Sequence, residues 1–263
     1  MRRCEKRATK CQNGRRQLGD SKLIAGNGYL IRIRLWRSKG LSEAGSFFIR
    51  IAARQQSRVW LSSRHCSGNW QGFQNRRLLM KDLIESARDL QDVLEKLELS
   101  FCFIGGLANL QWGEPRLTQD LDLTVLAGWG KEERVIDLLL AELSPRIDDA
   151  RQFALNNRVL LLQTEEGIPI DMALGALPFE EGAVERSRNI DLGGIFLRLC
   201  SAEDLVIMKA FANRDRDWSD IDGILGRQQA NLDAPYIMEQ IRVLDDAKPG
   251  EGIANRLESA LGA

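Results

Sequence analysis

The chain has 263 residues, and its 37 Lys and Arg are balanced by 37 Asp and Glu, so that the formal net charge is zero. Residues 1–79 contain 18 basic and 3 acidic residues, a net charge of +15, whereas residues 80–263 contain 19 basic and 34 acidic residues, a net charge of −15. The single histidine, His65, lies in the first part. Residues 80–263 therefore cannot form a Ser-His-Asp triad, a Cys-His pair or a histidine-rich zinc site.

The basic first part lacks sustained apolar periodicity, except for an alternating run from Tyr29 to Trp36. We consider three interpretations of it. It is a cationic arm that neutralises nucleic-acid phosphates, or a targeting peptide, although arginines interrupt every apolar stretch of the length that a secretory signal needs. The interpretation that we favour is a disordered or non-native extension, residues 1–79, because Met80 is the first methionine after Met1 and opens a well-formed helical pattern.

The second part opens with a helix, a strand and a glycine turn. Apolar residues spaced three and four apart predict an amphipathic helix from Leu78 to Leu97. An apolar run, Phe101 to Ile104, predicts the first strand of the core and breaks at Gly105-Gly106, after which residues 107–112 have a helical pattern. Such a turn leaves backbone N–H groups at a helix N-terminus, where the macrodipole favours phosphate, and glycine lets a ligand approach the main chain closely.

Two aspartates, Asp120 and Asp122, open the next predicted strand, which runs to Leu126. Because successive side chains of a strand point to opposite faces, both carboxylates lie on one face while Leu121 and Leu123 point into a core. Like charges that close repel each other and raise one pKa, so the pair favours a hard divalent cation between them, and Mg²⁺ is the natural candidate. The simpler alternative is that one Asp caps the turn and the other is a solvated edge residue.

The later elements are predicted from periodicity, turn residues and helix start signals. They are a helix over 131–143, a hairpin over 158–164 and 168–174, a strand over 196–200, and helices over 202–213, 217–226, 234–244 and 252–261. We therefore expect an α+β fold with a mixed sheet, in which residues 80–200 form the core and residues 201–263 a helical C-terminal part packed on it. No apolar span reaches the length of a transmembrane helix, and Cys102 and Cys200 are expected as buried free thiols in a reducing cytoplasm.

Several pieces of residues 80–228 occur in an order that resembles a known family. The strand, the Gly-Gly turn, the helix and the segment Arg116-x-Thr118-x-Asp120-x-Asp122 resemble the nucleotidyltransferases of the DNA polymerase beta superfamily, and most closely the AbiEii/AbiGii toxin-like branch. Together with the downstream pieces described next, these matches in the right order are far more specific than any one of them.

Two further pieces follow downstream. In that family a third carboxylate lies on a later strand, and Asp171 in the apolar run 168–174 is similar to it. The family also has a helix with a lysine, followed by an acidic segment. Lys209 and the segment Arg216-Asp217-x-x-Asp220-Ile221 are similar to these. For Asp217 we favour the interpretation of a helix-start acid that complements the macrodipole.

The resemblance implies a metal-dependent enzyme with three catalytic carboxylates. Asp120, Asp122 and Asp171 would hold one or two Mg²⁺ ions that bridge the phosphates of a nucleoside triphosphate. Asp171 would also take the proton from the attacking hydroxyl.

The resemblance also implies contacts with the nucleotide. Gly105 and Gly106 would bind the triphosphate through their backbone N–H groups, while Arg116, Thr118 and Lys209 would be secondary phosphate contacts. The residues alone leave alternatives open, because Lys209 is equally an exposed helix lysine and Arg116 equally a member of a surface salt bridge.

The implied activity is transfer of a nucleoside monophosphate to a hydroxyl of RNA, such as tRNA, or of protein, by the toxin-like member of a pair with a cognate antitoxin. One alternative is a catalytically inactive nucleotide-binding or partner-binding module of the same fold. Another is a nucleic-acid-binding protein that works through its basic first part.

Overall fold

The computed structural model describes residues 21–26, 29–34, 70–228 and 231–262. They fall into two compact units, divided after Ala53. In the first unit, β1 (Ser21–Gly26) and β2 (Tyr29–Arg34) form an antiparallel hairpin in which Gly26 pairs with Tyr29. The alternating run predicted from Tyr29 thus includes a strand. Residues 70–79 belong to a helix that continues to Lys96, and apart from the hairpin the rest of the segment 1–79, on which the three interpretations depend, lies outside the described residues.

The described residues of the second unit form a seven-stranded mixed sheet with helices on both faces. Its helices are α1 (Trp70–Lys96), α2 (Gly105–Trp112), α3 (Glu132–Glu142), α4 (Ala150–Asn157), α5 (Pro178–Arg186), α6 (Ala202–Ala212), α7 (Asp215–Gln228), α8 (Ala234–Asp245) and α9 (Ile253–Leu261). Its strands are β3 (Phe101–Phe103), β4 (Leu121–Leu126), β5 (Ser144–Pro145), β6 (Val159–Gln163), β7 (Pro169–Gly175), β8 (Arg188–Asp191) and β9 (Phe196–Leu199). The strand order is β5-β6-β7-β4-β3-β9-β8.

One face of the sheet carries the larger core. Alternate residues of the central strands are fully buried there, because strand side chains alternate between faces. They are Leu121, Leu123 and Val125 of β4 and Ile170, Met172 and Leu174 of β7. Apolar residues of α1, α3 and α4 cover this face.

The opposite face carries a second core, in which the C-terminal helices pack. Cys102 of β3 and Cys200, next to β9, are buried free thiols in this core together with apolar residues of α6, α7, α8 and α9. At the start of α6 the Ser201 hydroxyl accepts a hydrogen bond from the backbone N–H of Asp204 and so caps the helix. Asp122 and Thr124 of β4 alternate with the residues of the first core and therefore lie on this second face.

The mixed fold with a helical C-terminal part is confirmed, with differences at several elements. Helix α1 begins at Trp70, earlier than the apolar periodicity indicates, and α2 begins at Gly105. The predicted boundary at residue 80 stays a prediction. The sequence patterns missed α4, α5, β5 and β8, which are short and carry few regularly spaced apolar residues. No helix in the described ranges is long and apolar enough to cross a membrane.

Candidate active site

Parallel pairing of β4 with β7 brings the three predicted aspartates together. In the register of the two strands Asp122 is the direct partner of Asp171, and neighbouring strands lie only about 4.8 Å apart. Asp120 lies in the bend just before β4, close enough to Asp122 that the two carboxylates repel each other. Three carboxylates thus meet where β4 and β7 begin and β3 ends.

The glycine turn after β3 closes over Asp122. The Ile104 N–H donates to the backbone oxygen of Asp122 at 2.9 Å, and α2 starts immediately after it. Gly105 has a φ of +58°, and a Cβ atom at this position would lie 2.1 Å from Asp122 Oδ2. The Gly106 N–H points at the same oxygen at 3.4 Å. Position 105 therefore requires glycine for its backbone conformation and for the space that the carboxylate fills.

Thr118 orients the first aspartate of the site. Its hydroxyl donates to Asp120 Oδ1 at 2.8 Å, and the residue is buried. A Cβ atom on Gly106 would lie 2.3 Å from Thr118 Oγ1, so the threonine packs directly on the glycine turn. Thr118 thus contacts both the turn and the carboxylate, and its predicted phosphate contact stays a prediction.

The electrostatics of the site centre on Asp122. Its pKa is raised to about 6, first because the carboxyl is buried and then because Asp120 and Asp171 repel its charge. The Gly106 N–H and the Lys209 ammonium act in the opposite direction but do not cancel the rise. The site therefore carries more negative charge than the surrounding protein compensates.

The three aspartates are suitable ligands for a hard divalent cation, because such cations prefer carboxylate oxygens. A bound cation would also relieve the repulsion between the carboxylates. Across the described ranges, no three His, Cys, Asp or Glu side chains already converge on one point as the ligands of an ion. Protein groups contact each of the three aspartates instead, Thr118 on Asp120, the Gly106 N–H on Asp122 and Arg146 on Asp171.

Arg146 is the site residue that the sequence analysis missed. Its Nη2 donates to Asp171 Oδ1 at 2.5 Å. The backbone N–H of Arg146 donates to the Leu161 oxygen, and Leu161 is the β6 partner of Asp171. The arginine therefore reaches Asp171 from the far side of β6. No sequence signal marks it, since only the register of three strands brings it to the site.

Arg116 and Lys209 meet at a buried carboxylate of α7. The Arg116 guanidinium binds both oxygens of Asp220, with Nε at 2.8 Å from Oδ1 and Nη2 at 2.9 Å from Oδ2. Lys209 Nζ lies 2.6 Å from Asp220 Oδ2 and 3.6 Å from Asp217 Oδ1. The side chains of Lys209 and Asp220 are 5% and 6% exposed, so neither an exposed helix lysine nor a surface salt bridge describes this network.

The network has a clear electrostatic effect on Asp220. Burial raises the pKa of this carboxyl, but the hydrogen bonds from Arg116 and Lys209 outweigh burial and hold the pKa below its ordinary value. Asp217, in the first turn of α7 as expected, is also buried and pairs with Arg214. Direct phosphate contacts of Arg116 and Lys209 stay a prediction.

A family model described as nucleotidyl transferase AbiEii toxin, type IV toxin-antitoxin system, matches residues 88–259. The chain belongs to this family. The matched region contains all of the predicted site residues, from Gly105 to Lys209, and the resemblance inferred from the motifs is confirmed. A comparison with curated proteins gives no significant match.

Solved structures similar to the chain include other nucleotidyltransferases. An antigenic nucleotidyltransferase-like protein from Paracoccidioides brasiliensis is 15% identical over 70% of this chain and 93% of its own, with a TM-score of 0.43. The antibiotic-resistance factor ANT(2'')-Ia, in complex with adenylyl-2''-tobramycin, is 10% identical over 64% of this chain and 99% of its own, also with a TM-score of 0.43. These scores are low, so the assignment depends on the family match and on the site.

Proposed function

We propose that this AbiEii-family nucleotidyltransferase moves a nucleoside monophosphate from a nucleoside triphosphate to a hydroxyl acceptor, and that the reaction requires Mg²⁺. The observation that carries the proposal is the pairing of Asp122 with Asp171 across β4 and β7, with Asp120 and the glycine turn beside them. Unlike a single D-x-D motif, this arrangement brings together carboxylates from two separate strands at one end of those strands.

The three aspartates have different roles in the proposal. Asp120 and Asp122 would hold the first Mg²⁺, and Asp171 would complete a second position. A bound divalent cation neutralises the phosphate charges and the charge that develops on the leaving pyrophosphate. Asp171 is accessible to solvent, with 36% of its side chain exposed, and it would accept the proton of the attacking hydroxyl.

The remaining predicted residues would position the nucleotide. Gly105 and Gly106 lack side chains that would keep a triphosphate from the backbone of the turn. Thr118 would fix Asp120 through its hydrogen bond. Arg116 and Lys209 would supply positive charge from behind the carboxylates, which agrees with the effect of Lys209 on the pKa of Asp122.

The acceptor and the partner are part of the same proposal. A type IV toxin-antitoxin family favours a cognate antitoxin, a cytoplasmic location and a macromolecular acceptor, either RNA such as tRNA or a protein. The net charge of −15 in residues 80–263 favours an acceptor that needs only a short contact, such as a tRNA end, over one that lies along the protein.

The test is transfer of label from each of four α-³²P-labelled nucleoside triphosphates in a cell extract with Mg²⁺, followed by separation of RNA, protein and small molecules. We expect Asp122→Asn to reduce transfer at least about a hundredfold, since loss of charge compensation in the transition state costs several kcal/mol and each tenfold corresponds to about 1.4 kcal/mol. Asp89→Asn, at an exposed helix position, is the control. Undiminished transfer by Asp122→Asn would remove the assignment.

The second candidate is an inactive nucleotide-binding module, which the contacts of Asp171 with Arg146 and of Asp120 with Thr118 favour. Calorimetric titration with nucleoside triphosphates and Mg²⁺ separates the two candidates. Binding without transfer by the wild-type protein in any fraction of the extract supports the inactive module.

A further inference from the structure

We infer that Arg146 is a positioning residue that competes with the divalent cation for Asp171. The inference rests on the proposed function, because it concerns the same carboxylates. It begins from the contact between Arg146 Nη2 and Asp171 Oδ1 at 2.5 Å, a charge-assisted hydrogen bond.

The route by which Arg146 reaches Asp171 indicates a specific contact. Its backbone is fixed by the hydrogen bond of its N–H to the Leu161 oxygen, next to the edge strand β5. Leu161 and Asp171 are direct partners, so their side chains leave the sheet on the same face. The arginine side chain must therefore extend over β6, about two strand spacings, to place its guanidinium at the carboxylate.

The contact occupies a carboxylate oxygen that the proposed second metal position requires. A guanidinium hydrogen-bonded to that carboxylate and a divalent cation on the same carboxylate repel each other, so that each weakens the binding of the other. Arg146 is 29% exposed in its side chain, and Asp171 is 36% exposed, so the pair is accessible to solvent and can separate without leaving a buried charge. Exchange of the arginine for a cation is therefore inexpensive in free energy.

The competition also fits the arrangement of the other carboxylates. Asp122 retains its repulsion from Asp120 and Asp171 although Arg146 lies beside Asp171. The guanidinium thus satisfies one carboxylate only, and the rest of the site keeps its demand for positive charge. A cation bound at Asp171 would displace the Arg146 guanidinium from that carboxylate.

The experiment measures Mn²⁺ binding to the full chain without nucleotide, by the electron paramagnetic resonance signal of free Mn²⁺. We expect Arg146→Ala and Arg146→Gln to bind Mn²⁺ about fivefold more tightly than the wild type, the factor expected for loss of a half-exposed ion pair. Arg146→Lys, which keeps the positive charge, should bind close to the wild-type value. Arg151→Ala removes another arginine paired with carboxylates, away from the site, and should change nothing.

A double-mutant comparison assigns the effect to Asp171. In the Asp171→Asn background, Arg146→Gln should leave Mn²⁺ affinity unchanged. Suppose that Asp171→Asn weakens Mn²⁺ binding but that Arg146→Ala and Arg146→Gln bind Mn²⁺ as tightly as the wild type or more weakly. This result overturns the inference, whereas the proposed function stands. Absence of Mn²⁺ binding in the wild type and in both Arg146 variants overturns the inference but not the metal requirement, which the transfer assay with and without Mg²⁺ tests, because the cation can also bind together with the nucleotide phosphates.

Discussion

Asp122 is the residue at which stability and activity oppose each other. Its carboxyl is packed against the Gly105 turn and faces two further carboxylates. Such a group is retained at a cost in stability, and in the proposed function its charge is needed for the reaction. The cost can be measured separately from activity.

We expect Asp122→Asn to raise the free energy of unfolding at pH 7.5 in EDTA by about 1 to 3 kcal/mol. The folded pKa of about 6 lies above the ordinary value of 3.8, so the folded state binds more protons between these values and loses stability as the pH rises through them. The advantage of the variant should thus be small near pH 4, grow to about pH 6 and stay constant above. Urea unfolding of both proteins across this pH range measures the difference in their free energies of unfolding. A difference that shrinks with rising pH would contradict the prediction.

Two properties of position 105 require glycine, namely its positive φ and the lack of space for a Cβ atom. A comparison with Gly252, which has only the first property, separates their effects. Gly105→Ala should be destabilised by about 1 kcal/mol for its positive φ, with a further loss because its Cβ would meet Asp122 Oδ2. Gly252 starts α9 with a φ of +64° and open space around its Cβ position. Gly252→Ala should therefore lose only the first amount and keep transfer activity, whereas Gly105→Ala should lose both stability and transfer. Similar melting temperatures and activities for the two variants would refute the steric argument.

At the scale of elements, the contact between α6 and α7 depends on buried charges. Lys209 of α6 lies between Asp217 and Asp220 of α7, and Arg116 from the loop before β4 completes the group. Removal of Lys209 leaves two buried carboxylates, each with one guanidinium partner, and takes away the positive charge between them, which is more costly than loss of an exposed pair.

Lys209→Met should lower the free energy of unfolding by about 3 kcal/mol. Lys96→Met, which removes an exposed pair with Glu142, should change it by less than about 0.5 kcal/mol. Urea unfolding followed by tryptophan fluorescence measures both. A stable Lys209→Met protein that no longer binds nucleoside triphosphate would instead favour the phosphate contact predicted from the sequence.

The sequence predicted the elements whose periodicity is strong. Alternation around Asp120 and Asp122 identified β4, and the apolar run around Asp171 identified β7. The register that pairs Asp122 with Asp171 depends on the crossover through α3, β5, α4 and β6, which no local pattern encodes. Arg146 was missed for the same reason, since its role arises from strands that are neighbours only in the sheet.

The burial of charged side chains could also not be predicted from the sequence. Lys209 and Asp220 have the residue types of an exposed helix face, and only the packing of α6 on α7 buries them. A polar residue in a helix pattern is exposed by default, so burial through pairing is a tertiary effect.

At the scale of the whole molecule, charge is divided between the two units. Residues 1–53 have 13 basic and 3 acidic residues, a net charge of +10, and residues 54–263 have 24 basic and 34 acidic residues, a net charge of −10. We expect the full chain to bind single-stranded RNA with an affinity that falls steeply with salt, because cationic segments release counterions from phosphates. The chain 54–263 should bind at least about tenfold more weakly at low salt.

Fluorescence anisotropy with a labelled oligonucleotide from 50 mM to 1 M salt measures both affinities, and circular dichroism confirms that the shorter chain is folded. Equal binding by the two chains at low salt would contradict the expectation and would assign RNA contact to the acidic unit.

The crossover between β4 and β7 has a consequence for synthesis on the ribosome. A nascent chain that has already formed the glycine turn and the first two aspartates must still complete α3, β5, α4 and β6 before Asp171 can join them. Lys209 and Asp220 emerge later again. In the proposed function, translation products that end before β7 therefore lack the third carboxylate and would not transfer nucleotides, so that the activity would begin only after most of the chain has left the ribosome.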